Sequence, residues 1–391
     1  MQLLTIITWI FILLAAYVYT GYPILLALLA KIYKHPVQKA DITPSVSLII
    51  AAYNEAEVIG EKAENSLQLD YPRQLLEIIF VTDGSSDRTP EVVRGYTNQG
   101  ITLLHEDARR GKSAAINRGV AQSKGEILVF SDANAFYQAD AIKKLMRNFN
   151  DPTVGCVSGR KTVVHGDSAI GESEGAYWKY ESFIKKTESL IHSTAGVVGE
   201  MTALRRSLFE PIPPAIINDD HYLSLRVIKK GYRVIYEPEA ISQETSAVST
   251  RDETIRRQRI NAGRYQLMFQ PGEVYPWNNP IALFQMISHK FMRLLLPFFM
   301  IGALVCNTLV ILSGSDNILM WLTFMGQIAF YGLALVGMIA EQRGKRLKLP
   351  GIAYYIVSSN GASLRGFMRY IRGKQSVLWE KAARSKAAQR S

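Results

Sequence analysis

The chain has 391 residues, 48% of them hydrophobic, with a formal net charge of +11 and a mean hydropathy of +0.03. Two cysteines, Cys156 and Cys306, are too few for a disulfide framework or a cysteine metal cluster, which suits a reducing compartment. The positive charge borders apolar segments instead of tracking an aromatic-lined groove, so a nucleic-acid binder is excluded as the leading class.

Met1 to Ala30, Leu294 to Ser315 and Asn317 to Ala340 contain no charged side chain. Each is long enough to span a bilayer core, which takes about 20 apolar residues. The first lacks a basic leading region and a small-x-small cleavage site, so it reads as an anchor and not a signal peptide. Lys31, Lys34 and Lys39 follow the first segment, and Arg343, Lys345, Arg346 and Lys348 follow the last. The loop Ser313 to Asn317 has neither Lys nor Arg. The positive-inside rule then sets the N-terminus outside and both the middle domain and the C-terminal tail in the cytoplasm.

After a polar linker over 31–44, Ser45 to Ala52 reads as a buried strand that ends in Tyr53-Asn54-Glu55. Leu76 to Val81 reads as a second, ending in Thr82-Asp83-Gly84-Ser85-Ser86-Asp87. Ile101 to Leu104 is a short strand, and Ile127 to Ser131 another, ending in Asp132-Ala133-Asn134. Helical spacing lies between them, over Glu55 to Leu69, up to about Asn98, and over Ser113 to Gln122. Strands alternating with helices predict an α/β domain with a mostly parallel, doubly wound sheet. Asn54, Asp83 and Asp132 should then converge at the carboxyl edge, where such sheets bind ligands. Beyond Val154 the pattern is less regular. Glu172 to Glu188 looks helical, Asn218-Asp219-Asp220 opens a helix ending near Lys230, Val234 to Tyr236 is a short strand, and Arg251 to Gln266 is a basic helix.

Five groups carry chemistry. Asp132 and Asn134 flank one residue, so both can face one side of an extended tip, a set of hard oxygen ligands suited to Mg²⁺ or Mn²⁺ carrying a diphosphate. Asp and Asn also favour plain turns. Tyr53-Asn54-Glu55 with Asp83 to Asp87 offers acceptors for a base or ribose, or two ordinary strand-to-helix turns. Arg109-Arg110-Gly111-Lys112 lacks the spacing of a phosphate-loop NTPase but stands before a helix N-terminus. Asp219-Asp220 supplies a general base or a pair of capping acids. Arg256-Arg257-Gln258-Arg259 supplies cations for a leaving diphosphate or for anionic lipid heads. His105, His192 and His221 stand singly and read as surface or hydrogen-bonded histidines.

The ordered series Ala51-Ala52-Tyr53-Asn54-Glu55, Thr82 to Asp87, Gly111-Lys112, Ser131-Asp132-Ala133-Asn134, Asp219-Asp220 and Arg256 to Arg259 resembles the membrane-bound family 2 glycosyltransferases of GT-A fold, the group of cellulose, chitin, hyaluronan and poly-N-acetylglucosamine synthases. The resemblance covers nearly the whole chain. It implies a Rossmann-like GT-A domain in the cytoplasm between N- and C-terminal transmembrane helices, acting on a UDP-sugar. Tyr53, Asn54, Glu55 and Asp83 would hold the nucleoside; Lys112, Asp132, Arg256 and Arg259 would serve the diphosphate. Asp132 with Asn134 would bind Mg²⁺ or Mn²⁺, Asp220 would deprotonate the acceptor hydroxyl, and Gly199, Glu200 and Asp219 would line the acceptor side. Two positions depart from the pattern. Asn134 stands where a second acid is usual. Arg256 and Ile260 replace the Gln and Trp of the Gln-x-x-Arg-Trp motif of processive synthases.

The expected organisation is an anchor over 1–30, a linker over 31–44, the GT-A domain over 45–270, an interfacial helix over 271–293, two transmembrane helices within 294–340 and a cytoplasmic or interfacial segment over 341–391. The expected activity is inverting transfer of a sugar to a saccharide or lipid-linked acceptor for cell-surface polysaccharide, at the plasma membrane and in contact with its lipids. A processive synthase that exports its own polymer and an inactive scaffold that binds UDP-sugar are the alternatives.

Overall fold

Three long, nearly continuous apolar runs set the centre of the molecule, because strands buried on both faces need no polar alternation. In a computed structural model, describing residues 1–164, 169–245, 250–345, 347–373 and 375, these runs are β1 (Val46–Ala52), β2 (Leu76–Asp83) and β4 (Ile127–Asp132). With β3 (Ile101–Glu106), β5 (Phe136–Tyr137), β6 (Val154–Val164), β7 (Thr202–Arg205) and β8 (Arg233–Thr245) they form one sheet of order β3-β2-β1-β4-β7-β6-β8-β5. The strands β3, β2, β1 and β4 are parallel neighbours, as is the β6–β8 pair, whereas β7 runs antiparallel to β4 and β6. The result is the mostly parallel, Rossmann-like sheet of the GT-A fold.

Alternate side chains enter two cores. Leu48, Ile50, Ile78 and Phe80 pack with Ile59 and Ala63 of α3 (Ile59–Leu67), Val93 of α4 (Thr89–Arg94) and Ile142 and Leu145 of α6 (Ala141–Met146). Ile49, Val81, Leu128 and Phe130 face the other way, onto Ile116 and Val120 of α5 (Lys112–Gln122) and Leu225 of α8 (Asp219–Lys229). Burying each such side chain contributes roughly 1.5–3 kcal/mol.

The acceptor-side expectations need correction. The stretch after Val154 is not irregular, and Val234 to Tyr236 is only part of a strand: β6 and β8 are long and pair with each other from Val154–Arg233 to Val164–Thr245. Their register shifts between Val154 and Cys156 and between Ser158 and Arg160. Such bulges interrupt the period-2 pattern by which a strand is read.

Among the described residues, three helices are long and apolar enough to cross a membrane: Gln2–Ile32, Pro280–Leu312 and Ile318–Gln342. Side chains such as Leu13, Leu28, Leu312 and Leu322 lie exposed along them, the mark of a membrane protein. The first comprises α1 (Gln2–Ala16), a π turn (Tyr17–Gly21) and α2 (Tyr22–Ile32). α7 (Ala169–Ile191) packs on α2, and α9 (Thr250–Met268) leads into the short α10 (Pro271–Val274). The expected separate helix over 271–293 does not form. Instead α11 (Pro280–Met286) passes through a π turn (Ile287–Phe291) into α12 (Met292–Leu312) as one 33-residue helix. At about 1.5 Å per residue it is far longer than a hydrocarbon core of about 30 Å. Its first third, with buried Gln285, Ser288, His289 and Lys290, packs against the α/β domain.

The third candidate span is α13 (Ile318–Gln342). It packs on α14 (Lys348–Ile371), which also runs along α9. Arg257 donates to Ser359 Oγ at 3.1 Å, and the rings of Tyr265 and Phe367 lie 5.1 Å apart. α14 thus braces the basic helix, as an interfacial segment would. Most of the tail expected beyond it, residues 376–391, lies outside the described residues.

Candidate active site

The sheet register brings the polar strand ends together. Ala51 pairs with Asp132 and Ala52 with Thr82, so the turns after β1 and β2 and the tip of β4 share one edge. Asn54 has φ +53°, a left-handed conformation that Asn tolerates. Its amide holds the neighbouring turn: Ser86 N donates to Asn54 Oδ1 at 2.8 Å and Asn54 Nδ2 donates to Ser86 Oγ at 3.1 Å. Glu55 N donates to Thr89 Oγ1 at 2.8 Å and Ala56 N to Asp87 Oδ2 at 3.1 Å. Asp87 is therefore spent on the scaffold.

Asp83 is buried and faces the segment ahead of α5. Its Oδ2 accepts from Arg110 N at 3.1 Å and Gly111 N at 2.6 Å, while the buried Oδ1 has no hydrogen bond. The Arg118 guanidinium lies 3.8 Å from that oxygen, which still has no hydrogen bond and is suited to a ring N–H of a base. Gly84, at φ +65°, lets the chain pass Arg109, since a Cβ there would lie 2.6 Å from Arg109 Cβ. The Arg109 guanidinium lies 3.8 Å from the Tyr53 ring centroid. Ala51, Tyr53, Asp83, Arg109, Lys112 and Ala115 line a partly open cleft.

Beside this cleft the charged groups converge. Lys112, the first residue of α5, sits 2.6 Å from Asp132 Oδ1 and 3.6 Å from Asp219 Oδ2. Burial opposes its charge, but Asp132 and Asp219 outweigh burial and hold its pKa up. Asp219 and Asp220 are the first residues of α8. Asn218, the residue before them, makes no side-chain cap; its amide donates to Ile260 O of α9 at 2.8 Å, tying the two helices together. Asp220 Oδ1 accepts from the His221 backbone N–H at 2.7 Å. Burial first, then the Asp219 charge, push the Asp220 carboxyl up to about 6, against the pull of Lys112 and Arg264. Gly199 approaches the same group: a Cβ there would lie 3.0 Å from Asp220 Oδ2. Arg259 is half-buried; burial lowers its pKa, and the charges of Asp219, Asp132 and Asp220 oppose that shift, so it faces all three acids. Arg256, three residues earlier, is exposed.

Around Asp132, Asn134 Nδ2 donates to Glu244 of β8, Glu244 pairs with Lys161 of β6, and Lys161 Nζ lies 3.5 Å from Glu200 Oε1. Among the described residues no three His, Cys, Asp or Glu side chains form a preformed metal cage. An ion of the Mg²⁺ class takes one or two carboxylates and completes its shell with phosphates and water. Asp132, at a strand tip beside the cleft that Arg109 and Lys112 line, fits that use. The same tip is steadied from behind by Lys62, which sequence reasoning missed. Lys62 is fully buried, donates to Ala135 O and lies 4.1 Å from the Tyr137 ring centroid. Burial pushes its pKa down to about 7. Lys161, Glu244 and Lys62 gave no signal in the chain order because each reaches the site across a strand or from a helix interior.

Residues 47–212 match the family model described as Glycosyl transferase family 2. This part of the chain is a family 2 glycosyltransferase domain. Asp219, Asp220 and the basic helix lie just beyond it. The chain is 28% identical over 214 residues to the poly-β-1,6-N-acetyl-D-glucosamine synthase of Staphylococcus aureus strain COL, covering 53% of this chain and 52% of that protein. The synthase of the same name from Staphylococcus epidermidis is 28% identical over 202 residues. The chain spans about half the length of the curated relatives it matches. A solved structure, the mannosyltransferase PcManGT from Pyrobaculum calidifontis in complex with GDP-Man and Mn²⁺, is 25% identical with a TM-score of 0.72, over 94% of this chain and 99% of its own. The GT-A domain and its helices therefore share one arrangement with that enzyme.

Proposed function

We propose that the chain is an inverting, divalent-metal-dependent glycosyltransferase that moves a sugar from a nucleoside-diphosphate donor to a saccharide or lipid-linked saccharide. The observation that carries this reading is the pair of opposed charge clusters at one sheet edge. Lys112, Asp132 and Arg259 suit a diphosphate, and Asp220, whose carboxyl stands near pH 6, suits a general base.

In this mechanism Asp83 and the Tyr53–Arg109 pair hold the nucleoside. Asp220 takes the proton from the acceptor hydroxyl as its oxygen attacks the anomeric carbon. The bond from that carbon to the diphosphate breaks, the electron pair leaves with the nucleoside diphosphate, and the configuration inverts. Lys112 and Arg259 stabilise the charge gathering on the leaving group. Asp132 would hold a Mg²⁺ or Mn²⁺ ion, which would supply Lewis-acid neutralisation of the same diphosphate. Asn134 Nδ2 donates to Glu244, so the amide's Oδ1 is the atom that would serve as the second ligand beside Asp132.

Single transfer is favoured over a processive synthase, because Ile260 takes the place of the Trp expected to hold a growing polymer. The catalytic domain faces the cytoplasm of the plasma membrane, following the lysine and arginine distribution. The donor proposed first is a UDP-sugar. The whole-chain likeness to an enzyme bound to GDP-Man favours a guanosine donor as the second reading. The test is release of nucleoside diphosphate by the detergent-solubilised protein over a panel of UDP- and GDP-sugars, with Mg²⁺, Mn²⁺ or EDTA and a saccharide acceptor. Donor-selective release that EDTA abolishes, with an inverted product, supports the reading. Metal-independent release or a retained configuration would contradict it.

A further inference from the structure

Between Asp220 and the membrane lies a second group of charges that the transfer step above does not use. Lys185 on α7 is buried at 4% exposure, yet among the described residues its ammonium has no hydrogen bond or ion pair. It lies 5.4 Å from the Tyr236 ring centroid. Lys290, in the π turn that begins the second span, approaches from the opposite side. A Cβ added to Gly196 would lie 2.6 Å from Lys290 Nζ and 3.1 Å from Lys185 Cε, so the two lysines flank one bare stretch of backbone. Arg264 on α9 is half-buried and among the described residues donates to Asn261 Oδ1 at 3.4 Å; its charge acts on Lys185, Lys290, His221 and Asp220 alike. His221 is buried and neither ring nitrogen has a partner, contrary to its expected surface or hydrogen-bonded role.

Unpaired buried cations are costly unless something compensates them. The nearby carboxylates are committed elsewhere. Glu181 accepts from Lys290 at 2.9 Å and from Arg293 at 2.8 Å, and Glu188 accepts from Tyr22, Ala195 and His289. Glu200 faces Lys161. Burial pulls the Lys185 pKa down, partly opposed by Glu181, Glu200 and Glu188, and burial with the charges of Arg264 and Lys290 keeps His221 neutral. Lys185 and Arg264 thus remain as positive charge without a matched acid.

The place is specific. The cations stand on the acceptor side of Asp220, through Gly199 and the Gly196 backbone. They also stand where the 33-residue helix leaves the α/β domain for the apolar stretch of α12. Two π turns meet there: Tyr17 OH and Ser288 Oγ are 2.8 Å apart. Such irregular turns recur at functional sites in helices.

We propose that Lys185, Arg264, Lys290 and His221 form a binding site for a phosphate group, carried by a membrane-anchored acceptor whose sugar reaches Asp220. This rests on the transferase reading and narrows its acceptor from saccharides in general to polyprenyl-phosphate-linked ones. Anionic oxygens supply the counter-charge that the protein withholds, and the lipid tail leaves sideways along α1 and α12. A free phosphate has the same chemistry, so the test separates the two sources.

The test uses the full chain in phosphatidylcholine nanodiscs. Binding of a polyprenyl diphosphate, the uncharged polyprenol, inorganic phosphate and UDP or GDP is measured for the wild type, Lys185→Met and Arg264→Gln, with melting temperatures recorded without ligand. The expected result is tighter binding of the diphosphate lipid than of the polyprenol, by about tenfold or more, the scale of lost charge-assisted hydrogen bonds. Each substitution should remove most of that preference while nucleotide binding stays within about twofold. Lys185→Met should melt no lower than the wild type, because it removes an uncompensated charge. Equal binding of the two lipids, or a lower melting point with lipid preference intact, overturns the site. Saturable binding of inorganic phosphate without lipid preference overturns the lipid source. Loss of nucleotide binding by the wild type would instead sink the transferase reading itself.

Discussion

The proposed donor half and the proposed acceptor half of this domain handle polar groups in opposite ways. Around Tyr53, Asp83 and Asp87 the polar atoms are tied together between neighbouring strand-end turns, and Asp83 Oδ1 has no hydrogen bond, only the Arg118 guanidinium 3.8 Å away. Around Asp220 the groups are charged and buried, and their neighbours come from α5, α8, α9 and the 33-residue helix. The first half is rigid scaffolding for a compact, shared ligand. The second holds unmatched charge, which costs stability and is retained where a reaction or a ligand uses it.

Three substitutions and one titration sharpen this contrast. The largest effect is expected for Asp220→Asn, which should lower turnover by about 10²–10⁴-fold, the usual worth of a general base. Next, Lys112→Met should lower turnover by about 10²-fold by removing a cation from the leaving diphosphate, and it should weaken nucleotide binding as well, seen by calorimetry. The turnover–pH profile of the wild type should lose activity as pH falls through about 6, where Asp220 takes up its proton. The stability effect has the opposite sense to that of a salt-bridged acid. The folded pKa is raised, so the native state binds the proton more tightly, and stability declines as pH rises from about 4 to about 6. Asp220→Asn should therefore be more stable than the wild type at neutral pH, on the order of 2 kcal/mol by denaturant melting, with the gap closing near pH 4. The smallest effect is expected for Ile260→Trp, which should leave single-transfer rates within about twofold, because the Asn218 contact at that position is made to its backbone carbonyl. A large gain in product length from that variant would point to the processive reading.

The same contrast explains what could be read from the sequence. β1, β2 and β4 end in Asn54, Asp83 and Asp132 after unbroken apolar runs, and parallel pairing sends such ends to one edge, so the donor cleft follows from local pattern. Gly84 and Asn54 need φ above zero, and both carry residue types that announce it. Nothing comparable marks Lys185, Lys161, Glu244 or Lys62. Each lies within a regular helix or strand and reaches the site only through pairings of high sequence separation, such as β6 with β8. Lysines and glutamates in those contexts ordinarily face water. His221 misled for the same reason: its neighbours in space come from α9 and the π turn of the second span, not from α8. The interfacial helix expected over 271–293 failed at its boundary, because Lys290 and Arg293 look like the end of a span although the helix continues through them.

The most direct test of the central claim, that Asp220 joins the two halves as the base, is a paired measurement on Asp220→Asn. Donor binding is followed by calorimetry and transfer by nucleoside-diphosphate release with acceptor present. The account predicts donor affinity within about twofold of the wild type and transfer reduced at least about 10²-fold. Transfer near the wild-type rate, or donor affinity lost along with it, would contradict the account.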